Sequence, residues 1–257
     1  MSLPGIDLAA LPGAFRTGLW LPHYRPGASG AWTITGTILP AVRGYWGDNY
    51  GLLATSVLLR DDDPWMSIVP MEIESQEIGI AAARGHTAVL GLGMGWCAAN
   101  VALNPAVTRV TVVERDPAVI ALIADLGIFG QLPDAARAKI TVVEADAFDW
   151  RPDTPVDSLQ ADIWAGMVEP QKWDDVRRLH DAIAPASLYF WGQEMELWRL
   201  VCRHAGRTPE TLSRAALDEL VAGTGLPLVM SGAPDLAARI AAGARWWTPQ
   251  IEGWWNA

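Results

Sequence analysis

Thr87-Ala88-Val89-Leu90-Gly91-Leu92-Gly93-Met94-Gly95-Trp96 sets the architecture of this chain. Its first half is an unbroken apolar run of strand length, the pattern of a strand covered on both faces. Its second half places glycine at every other position, so the backbone can turn tightly and a ligand can approach it without meeting a Cβ. Residues 97–103 then suit a helix, stopped at Asn104-Pro105 because the residue before a proline is pushed out of helical geometry. Strand, glycine turn and helix start bring free N–H groups to the positive end of a helix dipole.

Outward from this stretch the same rhythm repeats. Residues 109–114 read as a second strand and 117–126 as a second helix, with Asp116 as its cap and Pro117 at its first position. Further strands are expected at 140–143, 161–165 and 187–191, and a helix follows Pro70. Strands alternating with helices predict an α/β fold: a doubly wound, mainly parallel sheet with right-handed crossovers, over residues 71–192. Residues 1–70 form a small β-rich N-terminal region. Leu3-Pro4-Gly5, Leu11-Pro12-Gly13 and Arg25-Pro26-Gly27 are its turn signals, and strands fall at 32–38, 52–59 and 65–69 around a turn at 60–64. Residues 193–257 form a helical C-terminal part, with helices at 194–204, 209–222 and 234–244 and a late strand at 226–230.

Composition narrows the function. The chain has 257 residues, 51% hydrophobic and 19% charged, enough for a sizeable core. A formal net charge of −10 argues against broad contact with nucleic-acid phosphates and leaves a small molecule as the expected partner. Cys97 and Cys202 are too few for a disulfide framework or a cysteine cage, and His23, His86, His180 and His204 lack ligand spacing, so no metal site is expected. Residues 1–10 lack a basic start followed by an apolar run, and the longest apolar run, 89–103, is shorter than the roughly 20 residues of a membrane span. A cytoplasmic protein without a membrane segment is the expectation. The chain holds 14 Trp against 4 Tyr and 4 Phe, which implies a bulky core or an aromatic site.

Open α/β sheets bind ligands at the carboxyl ends of their strands. After strand one stand Gly91, Gly93 and Gly95, then Trp96. A dinucleotide fingerprint needs glycine at 96, and a Trp there would crowd a pyrophosphate, which counts against a dinucleotide-dependent oxidoreductase. Strand two closes on Glu114, with Arg115 beside it. A carboxylate there can accept hydrogen bonds from both hydroxyls of a ribose, the alternative being a helix cap, a role that suits Asp116. Beyond strand three, Asp146 beside Ala147 and Phe148 can accept from an adenine amino group, or cap its own loop.

Order and spacing of these three sites resemble the class I S-adenosylmethionine-dependent methyltransferase fold, and more narrowly its spermidine synthase branch. Asn104-Pro105-Ala106-Val107-Thr108-Arg109-Val110-Thr111-Val112-Val113-Glu114-Arg115-Asp116-Pro117-Ala118-Val119-Ile120 is similar to the second strand and helix of that branch. The segment from Ile140 to Phe148 resembles its V-x-x-x-D-A-F run. The likeness covers residues 85–192. It implies S-adenosylmethionine, or its decarboxylated form, over the glycine turn, with the ribose on Glu114 and the adenine near Asp146-Ala147. Trp96 and Trp164 would lie beside the cofactor, where a cation–π contact to a sulfonium is physically sound.

The departures are informative. Cys97 replaces a further glycine of that branch, and Gly91 replaces an acid that contacts the methionine end of the cofactor. Aligned on residues 161–170, Gly166 stands where the branch has its catalytic Asp and Glu169 where it has a second acid, and Met71-Glu72 replaces a Tyr-His pair. Without a general base and amine-binding residues, this alignment counts against aminopropyl transfer. Methyl transfer asks mainly for in-line positioning of the nucleophile, so a methyltransferase acting on a small molecule remains, with a catalytically silent binder of the cofactor or its product as the alternative. Glu169 is then the one acid on offer for catalysis.

Glu72, Glu74 and Glu77, with Gln76, precede strand one and read as a solvated helix face, or as a carboxylate for the cofactor's amino group. His86 reads as a surface turn residue and Cys97 as helix packing. Trp246-Trp247 and Trp254-Trp255 read as an aromatic arm docking on the body or on a second subunit, which would make a homo-oligomer.

Overall fold

The computed structural model describes residues 13–51 and 53–256. The turn signals at 3–5 and 11–12, the reading of residues 1–10 and the first residue of the 52–59 strand lie outside the described residues.

The N-terminal region is β1 (Gly27–Ser29), β2 (Trp32–Leu39), β3 (Val42–Arg43), β4 (Asn49–Tyr50), β5 (Leu53–Arg60) and β6 (Asp63–Ser67). β1, β2, β5 and β6 make a four-stranded antiparallel sheet, β3 and β4 a separate pair. α1 (Pro70–Ala82) follows, with proline at its start.

The core then alternates: β7 (Gly85–Leu90), α2 (Trp96–Leu103), β8 (Val107–Glu114), α3 (Pro117–Asp125), α4 (Asp134–Arg137), β9 (Ile140–Glu144), β10 (Ser158–Ala161), α5 (Lys172–Ile183) and β11 (Leu188–Phe190). Asp116 caps α3 through the amide of Ala118. The five strands are parallel in the order β11-β10-β7-β8-β9. The chain winds outward from β7 to β9 and returns beside β7 as β10, so the switch point lies between β7 and β10. α6 (Gln193–Ala205), α7 (Arg214–Gly223) and α8 (Leu236–Trp247) complete the chain.

Several expectations need correction. The fourth strand is Ser158–Ala161 rather than 161–165. Its Ser158 and Gln160 are polar yet buried, because Ser158 bonds Arg84 and Ser187, and Gln160 bonds Gln76. A run interrupted by such residues does not read as a core strand, whereas Ile163-Trp164-Ala165 does. The late strand reduces to one bridge, Leu228 beside Leu188. The helix expected from 209 starts at Arg214, where the Ser213 hydroxyl accepts from the Ala216 amide. His86 is 7% exposed within β7, its ring between the Thr111 hydroxyl and the Pro155 carbonyl, each at 2.9 Å. The α1 face is only partly solvated: Glu72 and Glu77 are half-buried, and Glu74 is buried and accepts from the Tyr50 hydroxyl at 2.7 Å.

The aromatic tail docks on the body. Trp247 Nε1 donates to the Tyr45 carbonyl at 2.9 Å, and Trp255 is buried. No helix among the described residues is long and apolar enough to cross a membrane, and no group of His, Cys, Asp and Glu among them could hold a metal ion.

Candidate functional site

A cavity of about 540 Å³ opens where the five parallel strands end. Gly91, Leu92 and Gly93 line it after β7, Glu114 and Arg115 at the end of β8, Asp146, Ala147 and Phe148 after β9, Asp162 to Ala165 after β10, and Trp191 after β11. The N-terminal sheet closes the opposite wall with Trp32, Arg60, Trp65 and Met66, and α1 adds Met71, Glu72 and Gln76. Of the residues expected at a cofactor, Gly91, Gly93, Trp96, Glu114, Arg115, Asp146 and Ala147 meet in this one space. Gly95 stands apart from the lining. It caps α2 with φ 80°, and a Cβ there would press on Ile123 and Ile128, so it lets the start of α2 pack closely.

The glycine turn is built against its neighbours. Gly91 has φ +94°, and a Cβ on it would collide with the carbonyl oxygen of Asp162. The end of β7 and the end of β10 therefore touch, which only glycine permits. Met66, from β6, lies against Gly93.

Glu114 is fixed by two backbone donors. The Leu92 amide reaches its Oε2 at 3.0 Å and the Asp116 amide its Oε1 at 2.9 Å. The carboxylate is thus oriented between the glycine turn and the start of α3, with lone pairs to spare. Asp146 caps its loop through the Phe148 amide at 2.8 Å, leaving Oδ2 without a partner among the described residues.

At the inner end the expected residue and the observed one differ. The residue that leaves the fourth strand is Asp162, four positions before the Gly166 that the alignment sets in the place of a catalytic Asp. Asp162 Oδ2 accepts from Gln76 Nε2 at 2.8 Å, and Gln76 Oε1 accepts from Gln160 Nε2 at 3.1 Å. Enclosure pushes the Asp162 carboxyl up to about 6 against the pull of Lys172. Glu72 Oε1 accepts from the Ser67 amide at 2.8 Å, and enclosure, with Asp162 nearby, pushes its carboxyl up to about 8. An acid ending a strand is a signal the sequence carries, but the polar Gln160 ahead of Asp162 masks the strand.

Lys172, the first residue of α5, is not among the residues the sequence pointed to. Its ammonium is fully buried and donates to the carbonyls of Gly166 at 2.6 Å, Met167 at 2.9 Å and Trp191 at 3.3 Å, lying 4.9 Å from the Trp164 ring centre and 5.2 Å from that of Trp191. One cation thereby ties the loop after β10 to the loop after β11. Glu169 serves that loop rather than the cavity: its Oε1 accepts from the Gly166 amide and its Oε2 from Gln171, and it is not among the lining residues. Cys97 lines the cavity, but burial pushes its thiol far up, which suits packing and not nucleophilic attack.

Trp32, Trp65, Trp96, Trp164 and Trp191 all line the cavity, three more than Trp96 and Trp164. Trp164 Nε1 is held by Asp175 at 2.9 Å, whereas Trp96 Nε1 is buried with no partner among the described residues.

No family model matches the sequence, and no curated protein matches it. Solved structures similar to this chain include a DhpI complex with S-adenosylmethionine and HEP (21% identity, 48% of this chain and 56% of that one, TM-score 0.35). They also include the methyltransferase domain of bacterial CtHen1 (15%, 46% and 65%, 0.36) and the glycopeptide N-methyltransferase MtfA with S-adenosyl-L-homocysteine (19%, 43% and 42%, 0.34). The matched region spans about half the length of these chains.

Proposed function

We propose that this chain is an S-adenosylmethionine-dependent methyltransferase acting on a small molecule. One observation carries the reading: Glu114, oriented by the amides of Leu92 and Asp116, shares a cavity with the Gly91 turn and with Asp146. A carboxylate held in this way is an acceptor for a ribose, and an acid at the third strand end is an acceptor for an adenine amino group. The residues fit the adenosyl group in a further respect, since Gly91 keeps the turn free of a Cβ beside a cavity of about 540 Å³.

When bound, S-adenosylmethionine supplies a methyl group already activated by its sulfonium. The chain then has to orient an acceptor and exclude water, tasks for which the aromatic wall of Trp65, Trp164 and Trp191 is suited. Asp162 favours an enzyme over a silent binder, because it offers an acceptor's proton a carboxylate whose affinity lies near neutrality.

Calorimetry with S-adenosylmethionine, S-adenosylhomocysteine and NAD tests this. Binding of the adenosyl compounds is expected, and NAD binding in their place would overturn the reading. Transfer of a labelled methyl group to a pool of metabolites separates turnover from silent binding.

A further inference from the structure

The inner end of the cavity is short of hydrogen-bond donors. Glu72 uses Oε1 for Ser67, and its Oε2 has no partner among the described residues. Asp162 uses Oδ2 for Gln76, and its Oδ1 has none. Gln160, only 2% exposed, donates its amide to Gln76 and leaves Oε1 with no hydrogen-bond partner. All three residues line the same space. The Gln160 oxygen is a buried acceptor left unpaired, which is costly, and the two half-buried carboxyl groups beside it have only the pull of Lys172 to offset their charge. The nearest cation, Lys172, has all of its protons directed at backbone carbonyls. A bound molecule that brings donors and positive charge is therefore favoured there.

We propose that Glu72, Asp162 and Gln160 form a cation-selective face that makes the cleft prefer the positively charged methyl donor to its neutral-sulfur product. This rests on the S-adenosylmethionine reading given above. Donor and product share adenosine and the amino-acid end and differ by a methyl group and one positive charge at sulfur, so a face of two carboxyls and an unpaired amide oxygen separates them by charge. The preference would favour exchange of spent cofactor for fresh.

The selectivity follows the ionisation of both carboxyls. Glu72 titrates near 8 and Asp162 near 6, and the groups around them are Lys172 on α5, Cys97 on α2, Tyr189 on β11 and the Ser67 and Gln76 donors. As pH rises through that range the face gains negative charge, and its affinity for a cation grows.

Calorimetric titration of the full chain with each adenosyl compound tests the proposal. At about pH 8.5 the sulfonium compound should bind roughly tenfold tighter than the neutral one, and at about pH 5.5 the preference should shrink to within about twofold. Glu72→Gln and Asp162→Asn should each weaken binding of S-adenosylmethionine and leave that of S-adenosylhomocysteine in place, which also shows that the variants fold. Equal affinities at both pH values, or variants that weaken both compounds alike, would overturn the proposal and leave the methyltransferase reading standing. Binding of neither compound would overturn both.

Discussion

Trp32 Nε1 donates to Asp116 Oδ2 at 2.7 Å, across a separation of 84 residues. The bond joins the N-terminal sheet to the first turn of α3, beside the cavity that both residues line. Asp116 also caps α3 through the Ala118 amide at 2.9 Å, so one carboxylate serves both helix and sheet. The Trp32 donor holds the Asp116 carboxyl below the usual carboxylate range. This is the polar fastening of the wall formed by Trp32, Arg60, Trp65 and Met66.

Trp32→Phe keeps an aromatic ring, though a smaller one, and removes the donor. The substitution should cost about 2–3 kcal/mol of stability, from the lost bond to a charged acceptor and the space the smaller ring leaves. Its larger effect should be local: amide exchange in β2, β5 and β6 should quicken while β7 and β8 stay protected. Urea unfolding together with hydrogen exchange reads both effects, and uniform quickening across the chain would contradict a local fastening.

Glu114→Ala should weaken S-adenosylmethionine binding by about 1–3 kcal/mol, as expected when a charged acceptor is lost. The Leu92 and Asp116 amides also lose their shared acceptor, so the glycine turn should loosen. Glu114→Gln retains an oxygen for one of those amides and should recover part of the affinity. Calorimetry on both variants checks this, and unchanged affinity in Glu114→Ala would put the ribose elsewhere.

The parallel sheet was legible because its signals are local. A glycine turn after an apolar run, Asp116-Pro117 opening a helix and Asn104-Pro105 closing one are each decided by backbone geometry within a few residues. The cavity floor followed from the rule that strand ends carry the site. What escaped the sequence depends on distant partners. Gln160 is acceptable inside β10 only because Gln76, 84 residues away, bonds it, and that hid both the strand and the Asp162 that ends it. Glu72 and Glu74 look like a solvated face until β4 and β6 are seen to bring Tyr50 and Ser67 to them. Trp32 and Trp65 reach the cavity only through the packing of the N-terminal sheet.

Stability should fall as pH rises toward 8. Glu194 is fully buried, its Oε2 shared by the hydroxyls of Tyr45 at 2.9 Å and Tyr189 at 3.1 Å, and burial pushes its carboxyl up to about 7. A folded-state value above the unfolded one means that the stabilisation is complete below the unfolded value of about 4.5 and is lost as pH passes through about 7. Asp162 near 6 and Glu72 near 8 act in the same direction, while Lys172, lowered to about 8, changes the balance only above that pH. Glu194→Gln keeps an acceptor for both tyrosines and removes the ionisation. Its unfolding free energy should vary less between about pH 5 and 8, by roughly 3 kcal/mol at most. A wild-type profile that is flat over this range would show that Glu194 keeps its ordinary affinity.

Lys172→Met tests what holds the cleft's far side together. Methionine fills a similar volume but donates nothing, so the carbonyls of Gly166, Met167 and Trp191 lose their shared donor inside the protein. Loss of a buried ammonium with several acceptors should cost about 3 kcal/mol, more than a single hydrogen bond. Asp162 and Glu196 also lose a nearby positive charge, so the Asp162 carboxyl should rise further and part of its charge at neutral pH should vanish. Lys172→Arg keeps the charge but needs more room than a fully enclosed site has, so it should rescue the affinity of Asp162 for its proton better than it rescues stability. Urea unfolding gives the stability, and the pH dependence of S-adenosylmethionine binding gives the state of Asp162. Stability lost with the pH dependence unchanged would mean that Lys172 ties the two loops and exerts no electrostatic control over the cavity.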